Sequence, residues 1–140
     1  MDEASLLAAL RHHWERVMAM DCDGGHEIYH DDAVLEFPQS QERFVGRENF
    51  KAWRRIYPAD LEFKLRRISG RGDLWVTETS IRYDGGPWHF GCSITQFRGE
   101  KVAKETIYVA QGWEAPEWRA PWRAEWPEEN EGAALEAASP

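Results

Sequence analysis

Leu61-Glu62-Phe63-Lys64-Leu65-Arg66 alternates apolar and charged residues, and here the chain changes from a helical period to a strand period. Alternation puts Leu61, Phe63 and Leu65 on one face of a strand and the charges on the other. Ser69-Gly70-Arg71-Gly72-Asp73 reads as a turn, Leu74–Tyr83 as a long strand, and Asp84-Gly85-Gly86 as a second turn. Trp88–Phe97 is the next strand; Arg98-Gly99-Glu100 turns it into Val102–Val109. Connections this short join antiparallel neighbours, because a parallel pair needs a long crossover. The expectation is a four-stranded antiparallel meander, with parallel order excluded.

Upstream of Leu61 the period is 3.6. Leu6, Leu10, Trp14 (or His13) and Val17 lie at three- and four-residue steps, which predicts an amphipathic helix over residues 4–20. Asp21-Cys22-Asp23-Gly24-Gly25 breaks it, and a short second helix is expected over His26–His30. Ala33–Phe37 reads as a short strand ended by Pro38. A third helix follows Gly46, over Arg47–Ile56, with Phe50, Trp53 and Ile56 on one stripe, and Tyr57-Pro58 stops it. Three helices packed on one face of an antiparallel sheet make an α+β domain.

The run Ile28-Tyr29-His30-Asp31-Asp32-Ala33-Val34-Leu35-Glu36-Phe37-Pro38 resembles the Y-x-x-D-A-x-x-x-x-P segment of nuclear transport factor 2-like domains. Gly46-Arg47 before the third helix and the meander closing on Val102–Val109 match too. SnoaL-like cyclases, ketosteroid isomerases and limonene epoxide hydrolases share this scaffold, and the resemblance covers residues 4–112. It implies a cone-shaped, cystatin-like roll with its mouth among the helices, and a homodimer formed through the sheet face turned away from them. Carried over by position, the isomerase base falls on Phe37, its tyrosine donor on His13 and its neutral acid on Ser93. Phenylalanine takes no proton, so that mechanism is absent. No Asp-Arg-Asp set of the epoxide hydrolase kind is recognisable. Val109-Ala110-Gln111 offers no aspartate of the SnoaL kind.

Charge and composition narrow the function classes. Of 140 residues, 17 are Lys or Arg and 25 are Asp or Glu, a net charge of −8, which argues against phosphate-backbone binding and so against a nucleic-acid partner. No apolar run approaches the ~20 residues of a membrane span, so no membrane partner is expected. Met1-Asp2-Glu3 is acidic where a signal peptide is basic. Cys22 and Cys92 form no CxxC motif, which fits a reducing, cytoplasmic setting. Residues 1–112 are read as the domain. Residues 113–126, with Trp113, Trp118, Trp122 and Trp126, are read as an irregular arm that docks its indoles on the domain, or else serves as a lid. Residues 127–140 hold one leucine and no aromatic, which predicts a mobile acidic tail.

Strand parity then selects candidate chemistry. Trp75, Thr77, Thr79 and Ile81 face inward on one strand, His89 and Ser93 on the next, and Glu105, Ile107 and Val109 on the last. Pairing Phe97 with Lys101 sets Ser93 opposite Glu105, within about 5 Å at Cβ. A glutamate on an apolar, tryptophan-rich wall suits general acid–base work; alternatively Glu105 pairs with an Arg, His or tyrosine hydroxyl and orders the core. His13 is the second catalytic candidate, with a half-exposed structural role as the alternative. Tyr29, Phe37, Trp53, Tyr57, Phe63, Trp75, His89 and Ser93 are candidate ligand contacts, and a cavity lined by them suits a small, mainly apolar molecule. His26 and His30 have metal-ligand spacing but read as solvated surface, as do Arg54-Arg55 and Arg66-Arg67. No metal or cofactor is expected. The alternatives to an enzyme are a ligand-binding module and a homodimeric protein-interaction module. Outward Trp88, Phe90, Ile94 and Tyr108 predict a two-fold dimer through the sheet.

Overall fold

A computed structural model describes residues 2–127 of the chain. Helix α1 spans Glu3–Met18, opened by the Asp2 side chain, which accepts from Ser5 N at 2.8 Å. Its buried stripe is Leu6, Leu10, His13 and Trp14, so both of the alternative positions face inward. Helix α2 covers Cys22–His26 and not the expected His26–His30. The reason is a cap: Asp21 Oδ1 accepts from Gly24 N at 2.9 Å, starting the turn four residues earlier. Helix α3 runs Arg47–Arg55 after Gly46, whose φ of 96° suits glycine. Phe50 is buried there, but Ile56, expected on the same stripe, lies beyond the last turn and is 79% exposed.

The strands are β1 (Tyr29–Phe37), β2 (Glu42–Val45), β3 (Leu61–Arg71), β4 (Leu74–Tyr83), β5 (Trp88–Arg98) and β6 (Lys101–Gln111). They form one sheet in the order β2-β1-β6-β5-β4-β3. The meander β3 to β6 is antiparallel as expected, but β1 pairs parallel with β6, setting Leu35 beside Glu105. The sheet is therefore mixed. Short connections exclude parallel pairing only between consecutive strands, whereas β1 and β6 are joined by all the chain between them. β1 also starts at Tyr29, earlier than the expected Ala33, because it continues along β6 to the Tyr29–Val102 pair.

The β5–β6 register differs from expectation by two residues. Thr95 stands opposite Glu105 and Ser93 opposite Ile107, because the hairpin closes on Arg98–Lys101 and has an irregularity between Gln96 and Phe97. An even slip keeps every side chain on its face, so Ser93 and Glu105 remain on the concave wall as diagonal neighbours. In β3 a bulge between Leu65 and Arg67 resets the parity, and Leu65 and Ile68 are both buried. Leu6, Leu10, Trp14, Phe50, Leu35, Trp75, Phe97 and Val102 build the core beneath the helices. Gly91 gives the wall its hollow: a Cβ there would lie 2.3 Å from Thr79 Oγ1 and 2.9 Å from Ile81 Cδ1.

Past β6 the arm makes one 3-10 stretch, Glu117–Trp122, interrupted by Pro121. It does not dock its indoles on its own domain. Trp113, Trp118, Trp122 and Trp126 are 73–82% exposed, since the core is already closed by α1, α3 and the sheet. The tail expected to be mobile falls, from residue 128 on, outside the described residues. On the outer sheet face Phe90 and Tyr108 are exposed, while Trp88 is sandwiched by Lys64 and Arg82, 4.4 and 4.6 Å from its ring centre. Among the described residues no helix is long and apolar enough to cross a membrane.

Candidate active site

A cavity of about 430 Å³ lies between the helices and the concave sheet wall. Phe37, Trp53, Phe63, Ile81 and Ile107 give it apolar sides, and exposed Met20 and Tyr57 mark its opening. At its base sits Glu105, 1% exposed. Tyr29 Oη donates to Oε1 at 2.5 Å and Ser93 Oγ donates to Oε2. A carboxylate offers about four acceptor positions, so lone pairs stay open toward the cavity. Burial, reinforced by the Glu105 charge, raises the Tyr29 phenol above its ordinary pKa and keeps it a donor.

His13 closes the same end from α1. Its Nδ1 is 2.7 Å from the Gly25 carbonyl. A carbonyl only accepts, so the proton sits on Nδ1 and Nε2 is the ring's lone pair. Burial lowers its pKa to about 4 against the opposing pull of Glu105, so His13 is neutral at pH 7. The ring stands edge-on to Tyr29 at 5.8 Å and to Trp14 at 5.0 Å. Trp14 in turn donates to Thr77 Oγ1 at 3.2 Å, tying α1 to β4.

Eight of the ten candidate residues meet around this cavity: His13, Tyr29, Phe37, Trp53, Tyr57, Phe63, Ser93 and Glu105. Trp75 and His89 do not. The cavity touches only the second half of β4, from Thr79 onward, and Trp75 lies near the strand's start. There it packs over Gly70, where a Cβ would meet the ring at 2.5 Å, and donates Nε1 to Gly72 O at 2.9 Å. His89 stands at the start of β5, edge-on to Tyr83 at 5.1 Å.

Three lining residues, His26, Arg54 and Arg55, were read from sequence as solvated surface. His26 is buried, a consequence of the earlier start of α2. Its Nδ1 donates to Cys22 O at 2.6 Å, which leaves Nε2 to accept from Arg54 Nη1 at 3.0 Å. Burial, and then the Arg54 charge, lower its pKa to about 4. The signal for His26 was Asp21, a capping residue three positions before Gly24. His30, by contrast, is on β1 and bonds Arg98 O at 2.6 Å. Among the described residues no group of three or more His, Cys, Asp or Glu is arranged to hold a metal ion.

A SnoaL-like domain model matches residues 10–105. The chain belongs to the SnoaL-like family. A solved structure of a nuclear transport factor 2-like protein of unknown function from Burkholderia xenovorans LB400 is 43% identical, covering 91% of this SnoaL-like chain and 99% of that one, with a TM-score of 0.85. A provisionally named ketosteroid isomerase from Kribbella flavida DSM 17836 is 19% identical (90% and 93% covered, TM-score 0.79). An LEH-like epoxide hydrolase from M. tuberculosis is 20% identical (76% and 83% covered, TM-score 0.64). At such identities these last two share the fold alone. No curated protein matches the chain. This SnoaL-like protein has the nuclear transport factor 2-like fold, and its cavity base is one carboxylate held by two hydroxyls beside a neutral imidazole.

Proposed function

We propose that the protein binds a small, mainly apolar molecule in this cavity and acts on it by acid–base chemistry without a cofactor, with Glu105 as general base. The observation that carries this is a fully buried carboxylate on the cavity wall, oriented by Tyr29 and Ser93 and surrounded by apolar side chains. Two fixed hydroxyl donors hold the carboxylate in one orientation, which is what a positioned base requires. His13, neutral with Nε2 unprotonated, is the second proton acceptor at the same end. Tyr29, Phe37, Trp53, Tyr57 and Ser93 are the ligand contacts. The ketosteroid isomerase and epoxide hydrolase names among the neighbours support enzymatic use of the scaffold, not a particular reaction.

The test is deuterium exchange at the α-carbon of small cyclic ketones in D2O, followed by NMR. Wild-type protein is expected to catalyse exchange, and Glu105→Gln to slow it by about 10²-fold or more while leaving ketone affinity and folding nearly intact. Exchange unchanged in Glu105→Gln, with stability lower by about 1–3 kcal/mol, contradicts the catalytic role. That outcome favours a ligand-binding module without turnover, a reading supported by the two hydroxyls already bonded to the carboxylate.

In this reading the protein is a cytoplasmic homodimer with no nucleic-acid or membrane partner, joined through the outer sheet face. Phe90 and Tyr108, 49% and 41% exposed on neighbouring strands, support that contact. Light scattering at micromolar concentration is expected to return twice the chain mass, and Phe90→Glu the single mass. A wild-type monomer contradicts it.

A further inference from the structure

The cavity holds a cation that the proposed acid–base chemistry leaves unused. Arg54, half-buried in the last turn of α3, lines the cavity with its Nη1 3.0 Å from His26 Nε2. His26 donates from Nδ1 to Cys22 O, so it meets the guanidinium with a lone pair. A neutral ring orients Arg54 without cancelling its charge. The guanidinium carbon also lies 5.1 Å from the Trp53 ring centre and 6.0 Å from that of Phe50, contacts that stabilise a cation but do not neutralise it.

Its helix neighbours behave differently. Lys51 Nζ and Arg55 Nη2 reach Asp23 at 3.0 and 2.6 Å, whereas Arg54 makes no ion pair among the described residues. Neither of the two carboxylates lining the cavity is paired with Arg54. Glu105 takes hydrogen bonds from Tyr29 and Ser93, and Asp21 accepts from Gly24 N and lies 3.8 Å from Arg16. A guanidinium fork beside aromatic walls, with only His26 and the Tyr29 hydroxyl drawing on its five N–H groups, is built to take a planar anion in two parallel hydrogen bonds.

We propose that Arg54 is an anion-recognition site and that the ligand of this cavity is a mono- or bicyclic aromatic carboxylate. The carboxylate pairs with Arg54 while the ring lies among Phe37, Trp53 and Phe63, a division of polar and apolar contacts that the 430 Å³ volume accommodates. The inference rests on the reading of the cavity as a ligand site and names the chemical class that enters it.

Isothermal titration of the full-length protein with 2-naphthoate and with 2-naphthamide, the same shape without the charge, separates the two claims. The acid is expected to bind wild-type protein at least about tenfold more tightly than the amide. Arg54→Met is expected to erase that preference while leaving amide affinity in place, and Arg54→Lys to keep part of it. The wild-type comparison stands even where a variant fails to fold. Equal affinities in wild-type protein, or a preference that survives Arg54→Met, overturn the anion site while the cavity reading survives. Binding of neither compound overturns both.

Discussion

The interior of the domain and the arm that follows it are both rich in tryptophan, and they use it in opposite ways. Trp14 and Trp75 are buried, each with its indole N–H bonded, and Trp53 lines the cavity. Trp113, Trp118, Trp122 and Trp126 stand in solvent. Indoles are buried where a facing element offers them a partner, and α1, α3 and the strand wall do so for the first group. The arm has the right residues and no surface of its own domain to receive them. Aromatic content therefore says little about a site until the opposing wall is known.

Acidification should separate the two regions most strongly. His13 and His26 have pKa values near 4 in the fold against 6.5 unfolded, so the unfolded chain binds protons first as pH falls. Stability contributed by the neutral rings is intact above pH 6.5 and is lost between pH 6.5 and 4, by a few kcal/mol in total. Urea titrations across that window are expected to show the loss, reduced in His13→Gln. Constant stability down to pH 4 would mean that the interior is wetter than its geometry indicates. The arm from Trp113 to Pro127 contains no histidine and contributes nothing to this loss.

A smaller effect tests the other side. Truncation after Gly112 is expected to change folding stability by less than about 1 kcal/mol, since exposed side chains contribute little. It should also remove most of the acrylamide-quenchable tryptophan emission. A large fall in melting temperature would show that the arm is buried against something, a second copy included.

The helix–meander order and the inward parity of Ser93 and Glu105 were legible in the chain, because amphipathic periods are local and an even register slip preserves them. The parallel pairing of β1 with β6, which puts Leu35 beside Glu105, was not, since no local pattern encodes a contact between strands so far apart in sequence. His26 was missed for a one-turn shift in α2, and Arg54 because a half-buried cation looks like any surface arginine in sequence. Trp75 was assigned to the cavity by correct parity. Its position along β4, not its face, takes it out of the site.

In the proposed function a ligand sits on the interior aromatic wall against Glu105, not on the arm. A crystal structure of the full-length protein grown with a saturating small cyclic ketone tests it most directly. Ligand density is expected between Trp53 and Glu105, with a ligand carbon in contact with the carboxylate. Density only along the arm, or a cavity closed by Phe37 and Trp53 with the ketone excluded, would contradict it.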